Sequence, residues 1–222
     1  MTANPTPREL EDLAAHLAAV AEGDVAIGRR LAPYTSYRIG GPTAVWAAPR
    51  SVRGVQRVIE AVHAAGAPLF VLGRGSNLLV SDRGWPGVTL YIGENLSDRQ
   101  FSGEQAEAGA GCLLTDLVHA AVERGLGGME LLAGIPGGVG GALRMNAGAF
   151  GREIEAATVE VRGFRLDGAE LRLGRRQIVF GYRQAPQLEQ AVITSAAFRF
   201  QREPAAALSA RMEEILRLRA DR

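Results

Sequence analysis

Apolar residues recur at helical spacing over residues 8–22 (RELEDLAAHLAAVAE), where Leu10, Leu13, Leu17 and Val20 share one face and Gly23 follows as a stop. Arg29 to Pro42 breaks that rhythm. Pro33 and the run Gly40-Gly41-Pro42 mark it as loop with a short strand. Ala44 to Ala48 is a short strand, and Ser51 is an N-cap for a helix carrying Val55, Val58, Ile59 and Val62 that ends at Gly66. The apolar run Pro68 to Leu72 predicts a buried strand, followed at once by Gly73-Arg74-Gly75-Ser76-Asn77. Val88 to Ile92 is a further strand, and Phe101 with Gln105 to Ala108 predicts a hairpin. Leu113 to Glu123 is an amphipathic helix with Leu114, Leu117, Val118, Ala121 and Val122 inward. After a glycine-dense centre (125–151), Thr158 to Arg165, Ala169 to Leu173 and Val192 to Phe200 alternate as strands, with a turn at Asp167-Gly168. A last helix, about Pro204 to Arg219, groups Leu208, Met212, Ile215 and Leu216 into a stripe that needs a surface to cover.

The pattern divides the chain into an αβ-alternating half to about residue 90 and a strand-richer α+β half beyond it. At 222 residues it has room for one large domain or two small ones. One cysteine, Cys112, excludes an intramolecular disulfide and a cysteine-built zinc site. Basic and acidic residues nearly cancel (25 against 24), so no nucleic-acid footprint or polybasic membrane patch is expected. No lysine occurs, which excludes a Schiff-base lysine and the lysine of a Walker loop. No apolar run approaches the roughly 18–20 residues of a spanning helix, and the N-terminus lacks a basic-then-apolar signal layout. A cytoplasmic protein is the expectation.

The 28 glycines are about twice the usual share of roughly 7%, and they cluster. Gly73-Arg74-Gly75-Ser76-Asn77-Leu78 follows a strand, where small residues let successive N–H groups approach a phosphate. The spacing matches neither GxGxxG nor a Walker loop; a tight turn between a strand and an irregular segment is the plainer alternative. The second cluster runs from Gly134 to Gly151, seven glycines in eighteen residues otherwise almost wholly apolar. Flexible linkers are polar, so this is not one. Either main chain presses flat against a large planar ligand or its diphosphate, or backbone packs closely on backbone. His16, His63 and His119 sit on separate helices and read as solvated or helix-packed. Cys112 reads as a small buried apolar residue, Trp46 and Trp85 as core or loop anchors, Glu130 as a capping carboxylate, and Arg172, Arg175 and Arg176 as a solvated face.

Four segments occur in order: Thr35-Ser36-Tyr37-Arg38-Ile39-Gly40-Gly41-Pro42, Gly73 through Val80, Gly128-Met129-Glu130 through Asn146-Ala147-Gly148-Ala149-Phe150-Gly151, and Phe180-Gly181-Tyr182-Arg183. Together they resemble the UDP-N-acetylenolpyruvoylglucosamine reductases of peptidoglycan precursor synthesis, from about residue 28 to 219. The resemblance implies an α+β, two-subdomain FAD-binding fold of the vanillyl-alcohol oxidase (PCMH) type. It implies an N-terminal helix (1–27), subdomains over 28–95 and 96–203, and a C-terminal helix (204–222) leading toward a third domain. It also implies that NADPH delivers hydride by way of FAD to the enolpyruvyl group of a UDP-sugar. Carried onto this sequence, FAD contacts fall on Tyr37, Ile39, Gly40, Gly73, Arg74, Gly75, Ser76, Asn77 and Leu78. Others fall on Ile135, Pro136, Gly137, Gly138, Gly140, Gly141, Asn146, Ala147 and Gly148. Tyr182 matches a substrate contact and Arg183 the catalytic arginine, whose guanidinium can stabilise negative charge developing on an enol oxygen.

Two departures concern detail: Ala185 where the family usually has serine, and Phe150 in place of a tyrosine. A larger one is that the family's Gly-Ser-x-Phe-Lys-Asn-Pro segment, whose serine acts as general acid, and its later glutamate are not among these 222 residues. A general acid contributes typically 10²–10⁴-fold. The expectation is therefore an FAD-dependent reductase in which this chain is the FAD-binding portion. The alternative is a flavin-binding module, non-catalytic or completed by a separate chain. Another oxidase of the same fold is a third possibility.

Overall fold

In the computed structural model, which describes residues 5–221, the first helix α1 (Pro7–Val20) is set by a capping box. The Thr6 N–H and hydroxyl donate to the Glu9 carboxylate at 2.7 and 2.8 Å, which satisfies an orphan helix-end donor. Those bonds, that from the Thr6 backbone foremost, hold the Glu9 carboxyl below its ordinary pKa. Gly23 does more than stop α1: it opens a strand the periodicity did not announce, β1 (Gly23–Ile27). A Cβ at Gly23 would lie 2.1 Å from the Ala48 carbonyl oxygen, so this pairing needs glycine.

The chain forms two compact units. The first comprises residues up to Leu96 with Phe164–Glu170, and the second Ser97–Gly163 with the chain from Leu171 onward. In the first, β2 (Thr43–Pro49), β3 (Leu69–Leu72) and β4 (Trp85–Tyr91) join β1 in the order β1-β2-β4-β3. β2, β4 and β3 are parallel and β1 is antiparallel to β2. The crossover from β2 to β3 is α2 (Val52–Ala64), capped as its sequence predicts: Ser51 Oγ accepts from the Gly54 N–H at 2.9 Å. α2 buries Val55, Val58, Ile59 and Val62, and α1 buries Leu13, Ala14 and Leu17 beside it. Between β2 and β4 the Thr89 hydroxyl donates to Thr43 Oγ1 at 2.8 Å, and the Thr43 hydroxyl lies 3.1 Å from the Val45 and Gly87 carbonyl oxygens, so both buried hydroxyls find partners.

The second unit holds a five-stranded sheet of β5 (Arg99–Ser102), β6 (Gln105–Gly109), β10 (Thr158–Arg165), β11 (Glu170–Gly174) and β12 (Ala191–Arg199), ordered β11-β10-β12-β6-β5. Gly163 faces the Val192 carbonyl, which a Cβ would approach to 2.0 Å. The helices are α3 (Leu114–Glu123), the short α4 (Val139–Arg144) and α5 (Pro186–Glu189), and α6 (Ala205–Ala220). Short ladders are β7 (Leu126–Gly127) with β13 (Gln201–Arg202) and β8 (Gly148–Ala149) with β9 (Arg152–Glu153). The stripe of α6 covers its own unit: Leu208, Met212 and Ile215 are buried, and the helix packs on α3 and the 3-10 turn Glu130–Leu132.

Of the arginines expected on a solvated face, Arg175 departs. It pairs with Glu155 at 2.6 Å, donates to the Ile178 carbonyl at 3.1 Å and lies 5.0 Å from the Phe180 ring centroid. Its guanidinium therefore fastens the segment that leads to Tyr182 and Arg183, where a run of arginines had suggested only solvation.

Candidate functional site

The loop after β3 and the segment after the 3-10 turn Ala32–Tyr34 are locked together in the first unit. The Ser36 N–H donates to the Gly75 carbonyl at 3.1 Å. Gly75 takes φ +62, and a Cβ on it would fall 1.9 Å from the Tyr34 carbonyl oxygen, so no other residue fits without moving that segment. Gly73 is the reverse case: a Cβ there would meet nothing within 4 Å, and its bare backbone faces open space. Thr35 is buried and its hydroxyl lies within bonding distance of the Ile39 and Ala32 carbonyls (2.9 and 3.2 Å), which closes the turn over residues 35–39. Gly40 is buried against Leu31 and Val80, while Tyr37 and Ile39 point outward and are exposed. Leu78 packs into the cluster of Leu31, Trp46 and Leu72.

Both loops border a cleft of about 670 Å³ in this unit. Tyr34, Trp46 and Tyr91 form one wall, with ring centroids 4.4, 4.7 and 5.1 Å apart. Arg29, Arg38, Arg50 and Arg74 line it, against Asp24 and Glu94. Arg29 pairs with Asp24 and lies 5.2 Å from the Trp46 ring centroid; Arg74 lies 3.6 Å from Glu94. Burial first, and then the Glu94 carboxylate, push the Tyr91 phenol above its ordinary pKa. Sequence motifs included Arg38 and Arg74, and Tyr34 directly precedes one of them, but nothing pointed to Arg29, Arg50, Tyr91 or the role of Tyr34 and Trp46 as a wall. These come from three stretches, 29–34, 46–50 and the end of β4, and no local pattern links them.

In the second unit, the glycine-dense stretch lies on the chain's own backbone at two of its positions. A Cβ on Gly138 would be 2.8 Å from the Ala110 oxygen, and one on Gly140 2.9 Å from the Ala110 Cβ. The amides of Val139 and Gly140 donate to Cys112 and Ala110 carbonyls, both at 2.9 Å. Gly134 (φ +76) sits under Arg219 and Leu216 of α6. Gly137 takes φ +116, Gly141 is exposed with nothing within 4 Å of its Cβ position, Ile135 is half-buried, Pro136 is exposed and Ala147 is buried. Gly148 begins a two-residue hairpin whose tip, Phe150 (φ +51) and Gly151 (φ +76), has the double positive φ of a primed turn. Glu130 is buried, accepts from the Gly128 N–H at 2.7 Å and pairs with Arg211 at 3.2 Å.

Tyr182 and Arg183 occupy the tip of a tight turn closed by Gly181 and Gln184, whose N–H groups donate to one another's carbonyls at 3.0 and 3.3 Å. Arg183 takes φ +58 and Tyr182 is 83% exposed. The Asn146 amide donates to the Gly181 carbonyl at 3.2 Å, which brings two predicted site segments, 146–148 and 182–183, together. Among the described residues no three metal-binding side chains converge, and no helix is long and apolar enough to cross a membrane.

The FAD binding domain family matches residues 43–174. A reductase of UDP-N-acetylenolpyruvoylglucosamine from Syntrophomonas wolfei is 34% identical over 205 residues, 89% of this chain and 67% of its own length. The crystal structure of the corresponding Thermus caldophilus enzyme superposes with a TM-score of 0.76 at 33% identity, covering 90% of this chain and 70% of that one. The chain belongs to the UDP-N-acetylenolpyruvoylglucosamine reductase family. The relative from Halalkalibacterium halodurans is 37% identical over 174 residues, 78% of this chain. The chain spans 58% and 67% of the lengths of these two curated reductases. p-Cresol methylhydroxylase, only 15% identical, shares the fold with a TM-score of 0.67. The architecture is thus the α+β flavin fold of the vanillyl-alcohol oxidase (PCMH) type.

Proposed function

We propose that this chain is the FAD-binding portion of an NADPH-dependent UDP-N-acetylenolpyruvoylglucosamine reductase, producing UDP-N-acetylmuramate for the cell wall from a cytoplasmic position. The observation that carries the proposal is the open backbone at Gly73 inside a family match of this extent. A diphosphate needs main-chain donors with no Cβ in the way and cations nearby. Gly73 offers the first, and Arg74, Arg38, Arg29 and Arg50 in the adjoining cleft offer the second. The residues fit the cofactor: the Gly73–Asn77 loop would hold its diphosphate, with Tyr37, Ile39, Gly40 and Leu78 as supporting contacts. Ile135 to Gly138, Gly140, Gly141 and Asn146 to Gly148 are proposed for the flavin side. Bound FAD supplies a two-electron carrier between nicotinamide and substrate.

Arg183 is the residue proposed to act on the substrate. Hydride arriving at the enolpyruvyl β-carbon leaves charge on the α-carbon, which delocalises into the adjoining carboxylate as an enediolate. A guanidinium donates there through two charge-assisted hydrogen bonds. Loss of a comparable donor from a dry site raises a barrier by about 2.7–4 kcal/mol. Tyr182 is proposed to contact the same ligand.

The test is spectroscopic. The purified chain is expected to carry a yellow flavin that NADPH bleaches anaerobically and that UDP-N-acetylglucosamine enolpyruvate reoxidises. No bound flavin sinks the proposal. Reduction without reoxidation by the substrate marks a flavin-binding module, and rapid turnover with oxygen alone marks an oxidase.

A further inference from the structure

We propose that Asn146 and Glu153 are positioning residues for Arg183, clamping the turn that displays it. The consequence for substrate rests on the assignment of Arg183 above; the clamp itself does not.

Asn146 is 1% exposed and sits in the left-handed region (φ +40) just past α4, where its N–H donates to the Leu143 carbonyl at 3.1 Å. Its side-chain nitrogen lies 2.7 Å from Glu153 Oε2 and 3.2 Å from the Gly181 carbonyl oxygen. An ionised carboxylate and a peptide carbonyl only accept, so this atom is the NH₂ group and spends one hydrogen on each. The other end of the amide, Oδ1, is buried with no hydrogen-bond partner among the described residues. Leaving a buried acceptor unmet is unfavourable, a cost that the two donor bonds help to offset. Aspartate, nearly the same shape, would offer no donor and would face Glu153 as a like charge.

Glu153 reaches Asn146 because the intervening chain doubles back. β8 and β9 pair across the Phe150-Gly151 tip, with Gly148 opposite Glu153. A Cβ at Gly148 would lie 2.7 Å from Glu153 Cγ, so glycine there leaves the carboxylate its path under the amide. The short contact to a carboxylate is the stronger of the two bonds and fixes the orientation of the amide.

At the far end, the clamped carbonyl belongs to the peptide that joins Gly181 to Tyr182. Holding it fixes the peptide plane entering the tip, and with it the direction in which Arg183 leaves. The tip cannot hold itself by packing, since Tyr182 and Arg183 are both exposed. A non-glycine residue in the left-handed region is also unfavourable by about 1 kcal/mol or more and persists only where its surroundings impose it. The order Glu153, Asn146, Gly181 carbonyl, Arg183 runs from the β8–β9 hairpin to an exposed guanidinium, all within the second unit.

Amide hydrogen exchange on the ¹⁵N-labelled chain tests the clamp. Asn146→Ala is expected to raise exchange at the Gly181 and Gln184 amides roughly 3- to 10-fold, the loss of one ordinary hydrogen bond. The amides of Val192 and Thr194 in β12 are expected to keep their rates. Glu153→Ala should follow Asn146→Ala, and Glu153→Gln, which keeps an oxygen acceptor, should stay near the parent. Unchanged Gly181 and Gln184 rates in both alanine variants, or a uniform rise across the sheet in both, overturn the proposal. On the FAD-loaded chain, Arg183→Ala is expected to weaken binding of UDP-N-acetylglucosamine enolpyruvate, read by flavin fluorescence, and to weaken it no further in the Asn146→Ala background. Additive losses overturn positioning. If Arg183→Ala alone changes nothing, the assignment of Arg183 falls, and the exchange rates still decide the clamp.

Discussion

Two glycines in one loop should respond to alanine in opposite ways. At Gly75 a methyl would enter a left-handed residue (φ +62) and fall 1.9 Å from the Tyr34 oxygen. The backbone conformation contributes about 1–2 kcal/mol of destabilisation and the forced repacking of the Tyr34–Ser36 segment about 1–3 kcal/mol. The total is roughly 2–5 kcal/mol. At about 2–4 °C per kcal/mol for a chain of this size, Gly75→Ala should lower the melting temperature by roughly 4–20 °C. At Gly73 the methyl meets no atom within 4 Å and the backbone is not left-handed, so stability should hold. There the methyl occupies the space assigned to the diphosphate. Blocking one hydrogen bond to a charged group, about 1.5–3 kcal/mol, should weaken FAD roughly 10- to 150-fold. Circular-dichroism melting of the apoprotein and a flavin fluorescence titration measure the two effects separately. If Gly73→Ala melts as early as Gly75→Ala, or binds FAD like the parent, Gly73 is a turn residue and the diphosphate lies elsewhere.

Saturating FAD should itself stabilise the chain: at about 100 times its dissociation constant a ligand adds roughly 2.7 kcal/mol, and an unchanged melting temperature would count against the site. Gly163→Ala should destabilise by about 1–3 kcal/mol through overpacking, since its Cβ would sit 2.0 Å from the Val192 oxygen between β10 and β12; chemical denaturation checks it. Tyr91 keeps its proton longer in the folded chain than in the unfolded one. Stability is therefore full below the ordinary phenol pKa near 10 and is lost as pH rises through the higher folded value. Tyr91→Phe should flatten that alkaline decline and remove a phenol that titrates above the ordinary value from an absorbance titration. Glu160 behaves oppositely: Arg172 and Arg162 hold its carboxyl below 4.5, so its contribution stands above that pH and disappears as pH falls through the folded value. Glu160→Gln should flatten the acid limb of a stability profile.

The elements were legible where one periodic face met one core. α2 matches its sequence prediction from the Ser51 cap through Val62, and α3 and the strands from Thr158 onward fall where alternation puts them. β1 was not legible, because it is an edge strand only partly buried and its entry glycine also reads as a helix stop. Arg175 was misjudged for a related reason: a run of arginines looks solvated until the fold supplies Glu155, the Ile178 carbonyl and the Phe180 ring.

The candidate site divides in the same way. Composition and motif order, read from the sequence alone, carried the absence of lysine, the glycine clusters and the resemblance to a flavin-dependent reductase family. What each glycine is for was decided only in three dimensions. Gly75 yields to the Tyr34 carbonyl, Gly140 to Ala110, Gly148 to Glu153, while Gly73 yields to nothing and stays open. The arginine-lined cleft and the Glu153–Asn146–Gly181 clamp likewise join residues far apart along the chain. A sequence records that a residue is small, charged or apolar. The contact that makes its smallness or charge matter is supplied by another segment, and only the fold determines which segment that is.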